Sequence, residues 1–208
     1  MTKSVESGEQ ASRCADRAEQ APLTTREKLL RVSAEQFAEK GFRQTSVSAV
    51  ARGLDITPSA VYFHFAGKEE LFLAAFDHEV GRLGDAVIGA GPDAPGEGYW
   101  LGILDRVLDT LPEFPLVQRV FRGQESELTG RVVSGEISQR LRAAVSISLR
   151  KGQEVGRVRT DIDRERVAAG IEAMMLDFLF VAVQSGDTER AARATALGDL
   201  ITLALQRQ

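Results

Sequence analysis

"ITPSAVYFHFAGKEEL", residues 56–71, is the stretch that decides the fold of this chain. Thr57 is a residue type that accepts hydrogen bonds from the first turn of a helix. Pro58 suits the first helical position because its missing N–H would have no partner there. A short helix is therefore predicted from these two residues to His64-Phe65, and a longer helix is predicted to start near Lys68. The short helix is too polar for a core and too apolar for a linker, so it is expected to present a surface.

The predicted short helix has an apolar side and a polar side. Ala60, Val61 and Phe65 can face a core, and the remaining side chains of interest then lie on or near the outer side: Thr57, Pro58, Ser59, Tyr62 and His64. Hydroxyl, phenol and imidazole groups can bind base edges or phosphate oxygens. Lys68 would add a positive charge at the start of the next helix, where an anion is already favoured. The alternative is that Tyr62 and His64 only cover the edge of a small core.

Two further helices are predicted before this stretch. One runs from about residue 25 to residue 40, with Gly41 as its C-cap residue, and the other spans about 45–54 with Thr45 or Ser46 as its N-cap. The short segment "GLDI", residues 53–56, joins the second helix to the third. This is the plan of a helix-turn-helix unit, whose second helix enters the major groove of DNA.

The charges are distributed unevenly along the chain. The whole sequence of 208 residues carries a net charge of −4. Residues 25–68 hold 7 basic and 4 acidic residues, a balance of +3, whereas residues 69–208 hold 16 basic and 22 acidic residues, a balance of −6. A positive region on an acidic body is typical of a protein that binds a polyanion at one end. Chance unevenness is the alternative.

Composition restricts the class of protein. Cys14 is the single cysteine, so no intrachain disulfide can form, which agrees with a reducing compartment. Residues 1–24 contain no apolar core segment typical of a secretory signal and are predicted to be a disordered tail. The most apolar long stretch, residues 168–183, is interrupted by Glu172 and Asp177 and is too short to span a bilayer. We therefore expect a cytoplasmic protein that does not contact a membrane.

Residues suited to catalysis are scarce. The sequence has two histidines, His64 and His78, and it has no metal-ligand spacing, glycine-rich phosphate loop or nucleophile elbow. Asp161 and Asp163 are paired carboxylates, but Asp163 is better explained as the N-cap of the following helix. We therefore expect neither an enzyme nor a cofactor or metal site.

Four elements in a fixed order give a family resemblance. They are "A-x-x-F-x-x-x-G-F" at 34–42, "TSV" at 45–47, "VYFHF" at 61–65 and "KEEL" at 68–71. With their spacing, residues 25–76 resemble the DNA-binding head of the TetR family of transcriptional regulators, over about a quarter of the chain.

The resemblance implies roles for particular residues. Thr45 and Ser46 would contact phosphate, Thr57, Pro58 and Ser59 would lie nearest the bases, and Tyr62, His64 and Lys68 would bind the DNA backbone. Two positions depart from the family pattern. Pro58 stands where many members have a polar or charged residue, and Asp55 stands where the turn glycine usually lies, two residues before Thr57.

The rest of the chain is also predicted to be helical, which makes the fold all-α. A loop is predicted at 89–98, where glycine and proline are frequent, followed by helices at about 98–110, 112–127, 133–152, 163–185 and 188–206. The predicted domains are a tail at 1–24, a helix-turn-helix head at 25–76 and a helical C-terminal body for ligand binding and dimerisation at 77–208.

The TetR resemblance implies a homodimer with a ligand pocket in the body. The helix at 163–185 has two apolar rows and so needs two packing partners, one of which could be a second subunit; the alternative is that it is the central helix of a monomeric bundle. The predicted dimer interface comprises Val167, Ile171, Phe178, Leu197, Ile201 and Leu205. The predicted pocket residues are aromatic or soft side chains of the body, Trp100, Phe121, Met174 and Phe178.

These observations together predict a sequence-specific DNA-binding regulator, a repressor that a small-molecule effector releases from a palindromic operator in double-stranded DNA. The alternative is a helical small-molecule sensor or interaction module that does not bind DNA.

Overall fold

The computed structural model describes residues 23–89 and 98–206, and these residues form helices and connecting turns without a strand. The helices are α1 Thr25–Gln44, α2 Val47–Gly53, α3 Pro58–His64, α4 Lys68–Gly89, α5 Tyr99–Thr110, α6 Pro115–Phe121, α7 Ser126–Val133, α8 Glu136–Glu154, α9 Arg164–Ala182 and α10 Asp187–Leu205, with a 3-10 turn at Leu111–Glu113. The all-α prediction is confirmed. Most of the predicted tail and of the predicted loop at 89–98 lies outside the described residues.

One predicted helix, at 112–127, is divided in the structure. Pro112 lies in the 3-10 turn and Pro115 begins α6, since proline suits the first turn of a helix but not its interior. Gly123 then takes a φ of +73° and ends α6 before α7 begins. Helical periodicity does not reveal such interruptions, but the prolines and the glycine do.

Local capping explains how the head begins. The hydroxyl of Thr24 accepts the N–H of Glu27 at 3.2 Å, and the Glu27 carboxylate accepts the N–H of Thr24 at 2.7 Å. This reciprocal pair satisfies two N–H groups that a helix start leaves free. At its other end, α1 is interrupted at Gly41, whose φ of 81° only glycine adopts at little cost. The predicted helix end at Gly41 is therefore a kink: the helix is interrupted there as the glycine indicates, but it continues to Gln44 and its C-cap is Thr45.

The turn between α2 and α3 is a Schellman motif, a C-terminal cap with a left-handed residue. The N–H of Ile56 donates to the carbonyl of Ala51 at 3.0 Å, and the N–H of Asp55 donates to the carbonyl of Arg52 at 3.2 Å. Asp55 occupies the left-handed position with a φ of 56°. The turn therefore keeps the expected geometry without the usual glycine, since aspartate tolerates this conformation better than most residues.

The core of the head is built on α1 and α4. The rings of Phe37 and Phe72 meet edge to face at 5.0 Å, and the rings of Phe42 and Phe72 do so at 5.5 Å. α4 continues to Gly89, so one helix crosses the predicted domain boundary at residue 76. The head is therefore joined to the body through a continuous helix.

The body packs α8 against α9 and α5 against α10. α5 and α10 approach closely at Gly198, where an added Cβ would lie 3.0 Å from the Cβ of Leu101. The buried carboxylate of Glu79 on α4 accepts the N–H groups of Leu116 and Val117, each at 3.1 Å, at the start of α6. Burial raises the pKa of Glu79 although these two hydrogen bonds oppose the change. Within residues 23–89 and 98–206, no helix is long and apolar enough to cross a membrane.

Candidate nucleic-acid interface

The start of α3 is organised as the sequence predicts. The hydroxyl oxygen of Thr57 accepts the N–H of Ala60 at 3.3 Å, and Pro58 is the first helical residue. Because the oxygen accepts this bond, the hydroxyl hydrogen of Thr57 is left to donate elsewhere. The N-terminus of α3 is thereby fixed in place.

The two sides of α3 differ sharply in exposure. Val61 and Phe65 are almost completely buried in the head. The side chains predicted to face outward are exposed, namely Thr57, Pro58, Ser59, Tyr62 and His64. Tyr62 is 55% exposed, so its hydroxyl does more than cover the edge of the core. The predicted orientation of α3 is confirmed, and contact of these residues with DNA stays a prediction.

Phe63 is a candidate that the sequence reasoning missed. Its side chain is 86% exposed. Among the aromatic rings of the described residues, the Phe63 ring contacts only that of the neighbouring His64, edge to face, with 5.2 Å between the centroids. Its exposure places Phe63 on the outer side of α3 beside the other candidate contact residues. The sequence does contain a signal for the exposure of Phe63: it lies four residues after Ser59, and residues spaced by four lie on the same side of a helix.

The structure separates the two residues predicted to contact phosphate at the start of α2. Ser46 is exposed and caps the helix, its hydroxyl accepting the N–H of Ala49 at 3.1 Å. Thr45 is buried, with its hydroxyl 2.9 Å from the carbonyl of Gly41 and 3.2 Å from that of Gln36. The assignment of Thr45 to a DNA-contacting surface is therefore corrected, because its hydroxyl bonds α1 and is covered by protein.

Lys68 has an internal role that was not predicted. Its ammonium donates to the carbonyl of Phe42 at 2.9 Å and to that of Arg43 at 3.4 Å, and it lies 4.4 Å from the centroid of the Phe42 ring. These contacts tie the start of α4 to the end of α1. An ammonium has three N–H donors, so contact with phosphate through the third stays a prediction.

The positive charge of the head remains largely accessible. Arg43 forms an ion pair with Glu127 of α7 and so is partly neutralised. Five other basic residues of this region are exposed: Arg26, Lys28, Arg31, Lys40 and Arg52. Exposed positive charges of this kind attract a polyanion to the surface of the head.

The four predicted pocket residues do not share one environment. Trp100, Phe121 and Phe178 are buried, and the Phe121 ring packs edge to face on the Phe180 ring at 4.7 Å. Met174 is 37% exposed and lies in a groove on the surface. The grouping of Met174 with the other three is therefore corrected: it projects from the outer side of α9, while they belong to the core.

That groove runs between α9 and α10 and is lined by apolar atoms of Val167, Gly170, Ile171, Met174, Leu200, Ile201, Ala204 and Leu205. Four of the predicted interface residues therefore lie around it, whereas Leu197 and Phe178 do not. However, Ile171, Phe178, Ile201 and Leu205 are nearly fully buried within the protomer, because α9 and α10 also pack on α8 and α5. The side chains most open to a partner are instead Met174, Leu200 and Leu203.

Among the described residues, no group of three or more histidine, cysteine, aspartate or glutamate side chains is arranged to bind a metal ion. The exposed side of α3 carries hydroxyl, phenol, imidazole and apolar groups. This combination suits hydrogen bonding to base edges and phosphates.

Comparison with known proteins bears on both the head and the body. Residues 29–75 match the family model described as bacterial regulatory proteins, tetR family. The HTH-type transcriptional repressor AcnR of Corynebacterium efficiens is 24% identical over 197 residues, which cover 89% of this chain and 95% of that protein. Over 46 residues, the HTH-type transcriptional repressor KstR2 of Mycobacterium tuberculosis is 46% identical, covering 22% of this chain and 23% of that protein.

A solved structure extends the likeness to the whole fold. A TetR-family transcriptional regulator from Pectobacterium atrosepticum superposes with a TM-score of 0.64 at 22% identity and covers 88% of this chain and 95% of its own. At this identity the likeness is one of fold. The family model thus matches the head, and the fold likeness includes the body.

Proposed function

This chain belongs to the TetR family of bacterial regulatory proteins, and we propose that it is a transcriptional repressor that binds operator DNA through α3. The observation that carries the proposal is the exposed side of α3, where polar and aromatic groups lie on a helix whose other side is buried. The relatives that match by sequence are transcriptional regulators rather than enzymes.

In the proposed complex, α3 enters the major groove, which is wide enough for an α-helix. Thr57 and Ser59 donate to or accept from base edges, and Pro58 contacts a thymine methyl group. Tyr62 and His64 bind phosphate oxygens on either side and so set the position of the helix. Ser46 binds a further phosphate through its hydroxyl.

We assign residues 25–76 to the DNA-binding head and residues 77–208 to the body, with α4 shared between them. Two chains associate through the outer sides of α9 and α10, where Leu200 and Leu203 leave apolar surface uncovered. A two-fold axis between the chains then presents two α3 helices to two half-sites. Such half-sites lie about 34 Å apart, one turn of DNA, or a multiple of it.

The repressor responds to a small-molecule effector that binds in the body. Trp100, Phe121 and Phe178 are proposed to line the site, which requires the effector to displace part of their present packing. The effector releases DNA only if it binds more tightly to a conformation in which the spacing of the heads does not fit the operator.

The test begins with selection of genomic DNA fragments by the full-length chain, followed by affinity measurements on the selected duplex. Ser59→Ala should change which base is preferred at the contacted position, by about 1–3 kcal/mol in discrimination, because one base contact is lost. Thr160→Ala, which truncates an exposed hydroxyl of the body, is the matched control and should leave the preference unchanged.

Two results would contradict the proposal. One is failure of the wild-type chain to select any fragment. The other is the same base preference in Ser59→Ala and in the wild type, which would remove Ser59 from base recognition.

A further inference from the structure

The end of α1 meets the body at the turn between α6 and α7. Because Gly41 interrupts the helix, the N–H of Phe42 is free of the helical hydrogen-bond pattern. It donates instead to the carboxylate of Glu125 at 3.1 Å, across 83 residues of sequence. The head and the body are thus joined by a backbone hydrogen bond to a side chain.

The same carboxylate is held by Arg119. The guanidinium Nε donates to Glu125 at 2.5 Å, while a second nitrogen donates to the carbonyl of Ala38 at 3.3 Å. A cation at this carbonyl is favourable because the C-terminal end of a helix carries partial negative charge. Arg119 therefore binds the carbonyl of Ala38 before the interruption at Gly41, and Glu125 binds the N–H of Phe42 after it.

Both side chains of this contact are largely buried. The Glu125 side chain is 7% exposed and that of Arg119 is 23% exposed. Removal of one partner from a buried set of charged hydrogen bonds leaves the others unsatisfied, which costs more than the bond itself contributes. Gly41 lies so close that an added Cβ would be 2.5 Å from Arg119 Nη2 and 2.9 Å from Glu125 Oε1.

The Arg119–Glu125 ion pair lies within the body, whereas two exposed ion pairs cross the junction. Arg43 pairs with Glu127, and Arg131 pairs with Glu69. Exposed pairs contribute little, since water screens them and two long side chains must be ordered. Of these charged contacts, that of Glu125 with the end of α1 is the buried one, and it acts together with the continuous helix α4 on the angle between α1 and the body.

Hydrogen bonds within the head tie α1 to α2 and to α4, and α3 in turn packs on α2. The Gln36 amide donates to the carbonyl of Ala49 in α2 at 3.1 Å, and the Thr45 hydroxyl bonds carbonyls of α1. The Lys68 ammonium fixes the carbonyl of Phe42 to the start of α4. The head therefore turns as a unit when the end of α1 turns.

We propose that Glu125, held by Arg119, is a positioning residue that sets the orientation of the DNA-binding head relative to the body. The inference concerns orientation and holds whether or not the chain binds DNA. Its consequence for the operator rests on the proposed function. Loosening of this contact should let each head sample several orientations and so weaken the selection for one half-site spacing.

The first experiment measures orientation directly in the full chain. Cys14→Ser removes the native thiol, and Arg52→Cys in the head and Asp109→Cys in the body provide exposed sites for spin labels. Labelled chain is diluted into unlabelled chain so that only distances within one chain are measured. Glu125→Gln, which keeps the size of the side chain, should broaden or shift the distance distribution. Glu127→Gln, a carboxylate of the same segment in an exposed pair, should not.

An unchanged distribution in Glu125→Gln overturns the proposal, and so does equal broadening in both variants. If circular dichroism shows that Glu125→Gln is unfolded, Arg119→Gln takes its place, and an unchanged distribution there overturns the proposal equally.

The second experiment uses operators whose half-sites are moved apart by one or two base pairs. For each protein, the affinity for the operator with natural spacing is divided by the affinity for the operator with altered spacing. This ratio should be about tenfold lower in Glu125→Gln than in the wild type, the loss expected for one buried charged hydrogen bond. General loss of folded protein would lower both affinities and leave the ratio unchanged, which would contradict a positioning role. A wild-type chain that binds no DNA would defeat the proposed function, while the distance measurement would still decide the inference.

Discussion

At the scale of single residues, Asp55 shows how a turn is kept without its usual glycine. Its φ of 56° places it in the left-handed region, where a side chain other than glycine costs about 1 kcal/mol. Asp55→Gly should therefore raise the free energy of unfolding by at most about 0.5 kcal/mol, the strain removed less the extra entropy of glycine in the unfolded chain, about 0.5–1 kcal/mol. Asp55→Asn, which also tolerates this region, should change it little. Urea unfolding of the three proteins measures this, and a lower midpoint for Asp55→Gly would be contrary to a strained Asp55.

Some side-chain roles in the head can be predicted from the sequence, and others cannot. The sequence predicts Thr57 as one cap and Thr45 or Ser46 as another, because a cap depends on the next three residues alone, and the structure selects Ser46. Thr45 is predicted to contact DNA, but it is buried and bonds the backbone carbonyl of Gly41, and Lys68 has an unpredicted bond to the carbonyl of Phe42 beside its predicted contact with phosphate. A carbonyl group carries no signature in the sequence, so a side chain that bonds one is indistinguishable from a side chain left free for a ligand.

At the scale of elements, the contact between α4 and α8 should make stability depend on pH. Burial raises the pKa of Asp77 to about 6, and the nearby carboxylate of Glu136 raises it too, while Arg140 opposes the change. Because the folded pKa lies above the unfolded one, the folded chain binds the extra proton between about pH 4 and pH 6. The stabilisation is complete below this window and is lost as the pH rises through it.

Asp77→Asn should remove this dependence. Above pH 6 the variant should be more stable than the wild type, by on the order of 1 kcal/mol once solvent screening of a half-buried group is allowed for, and the difference should vanish near pH 4. Asp85→Asn, at an exposed position of the same helix, is the control. Denaturant unfolding between pH 4 and pH 7 measures both variants. A wild type whose stability rises between pH 4 and pH 6 relative to Asp77→Asn would contradict the argument.

Helical periodicity predicted that α9 needs two packing partners, and it predicted most helix positions well. It could not state which apolar row faces the protomer and which faces outward. Ile201 was placed in the subunit interface, yet it is 2% exposed within the protomer, whereas Leu200 beside it is 55% exposed. A charge at Ile201 would therefore disrupt the protomer itself, and an interface test must use the outer row.

At the scale of the whole molecule, the proposed dimer joins two heads into one DNA-binding unit, and Leu200 tests that arrangement. Leu200 lines the apolar groove between α9 and α10 from its exposed edge, so Leu200→Glu should place a charge in the interface while the protomer stays folded. Sedimentation should show a dimer for the wild type and a monomer for the variant. Because one head then binds DNA alone, the slope of log affinity against log salt should fall to about half, as about half of the phosphate contacts are lost. Val155→Glu, at an apolar position that is 58% exposed and is not among the residues lining the groove, is the matched control and should remain a dimer with the full slope. If Leu200→Glu also sediments as a dimer, the two chains associate through another surface, and the spacing of the heads must be derived from that surface instead.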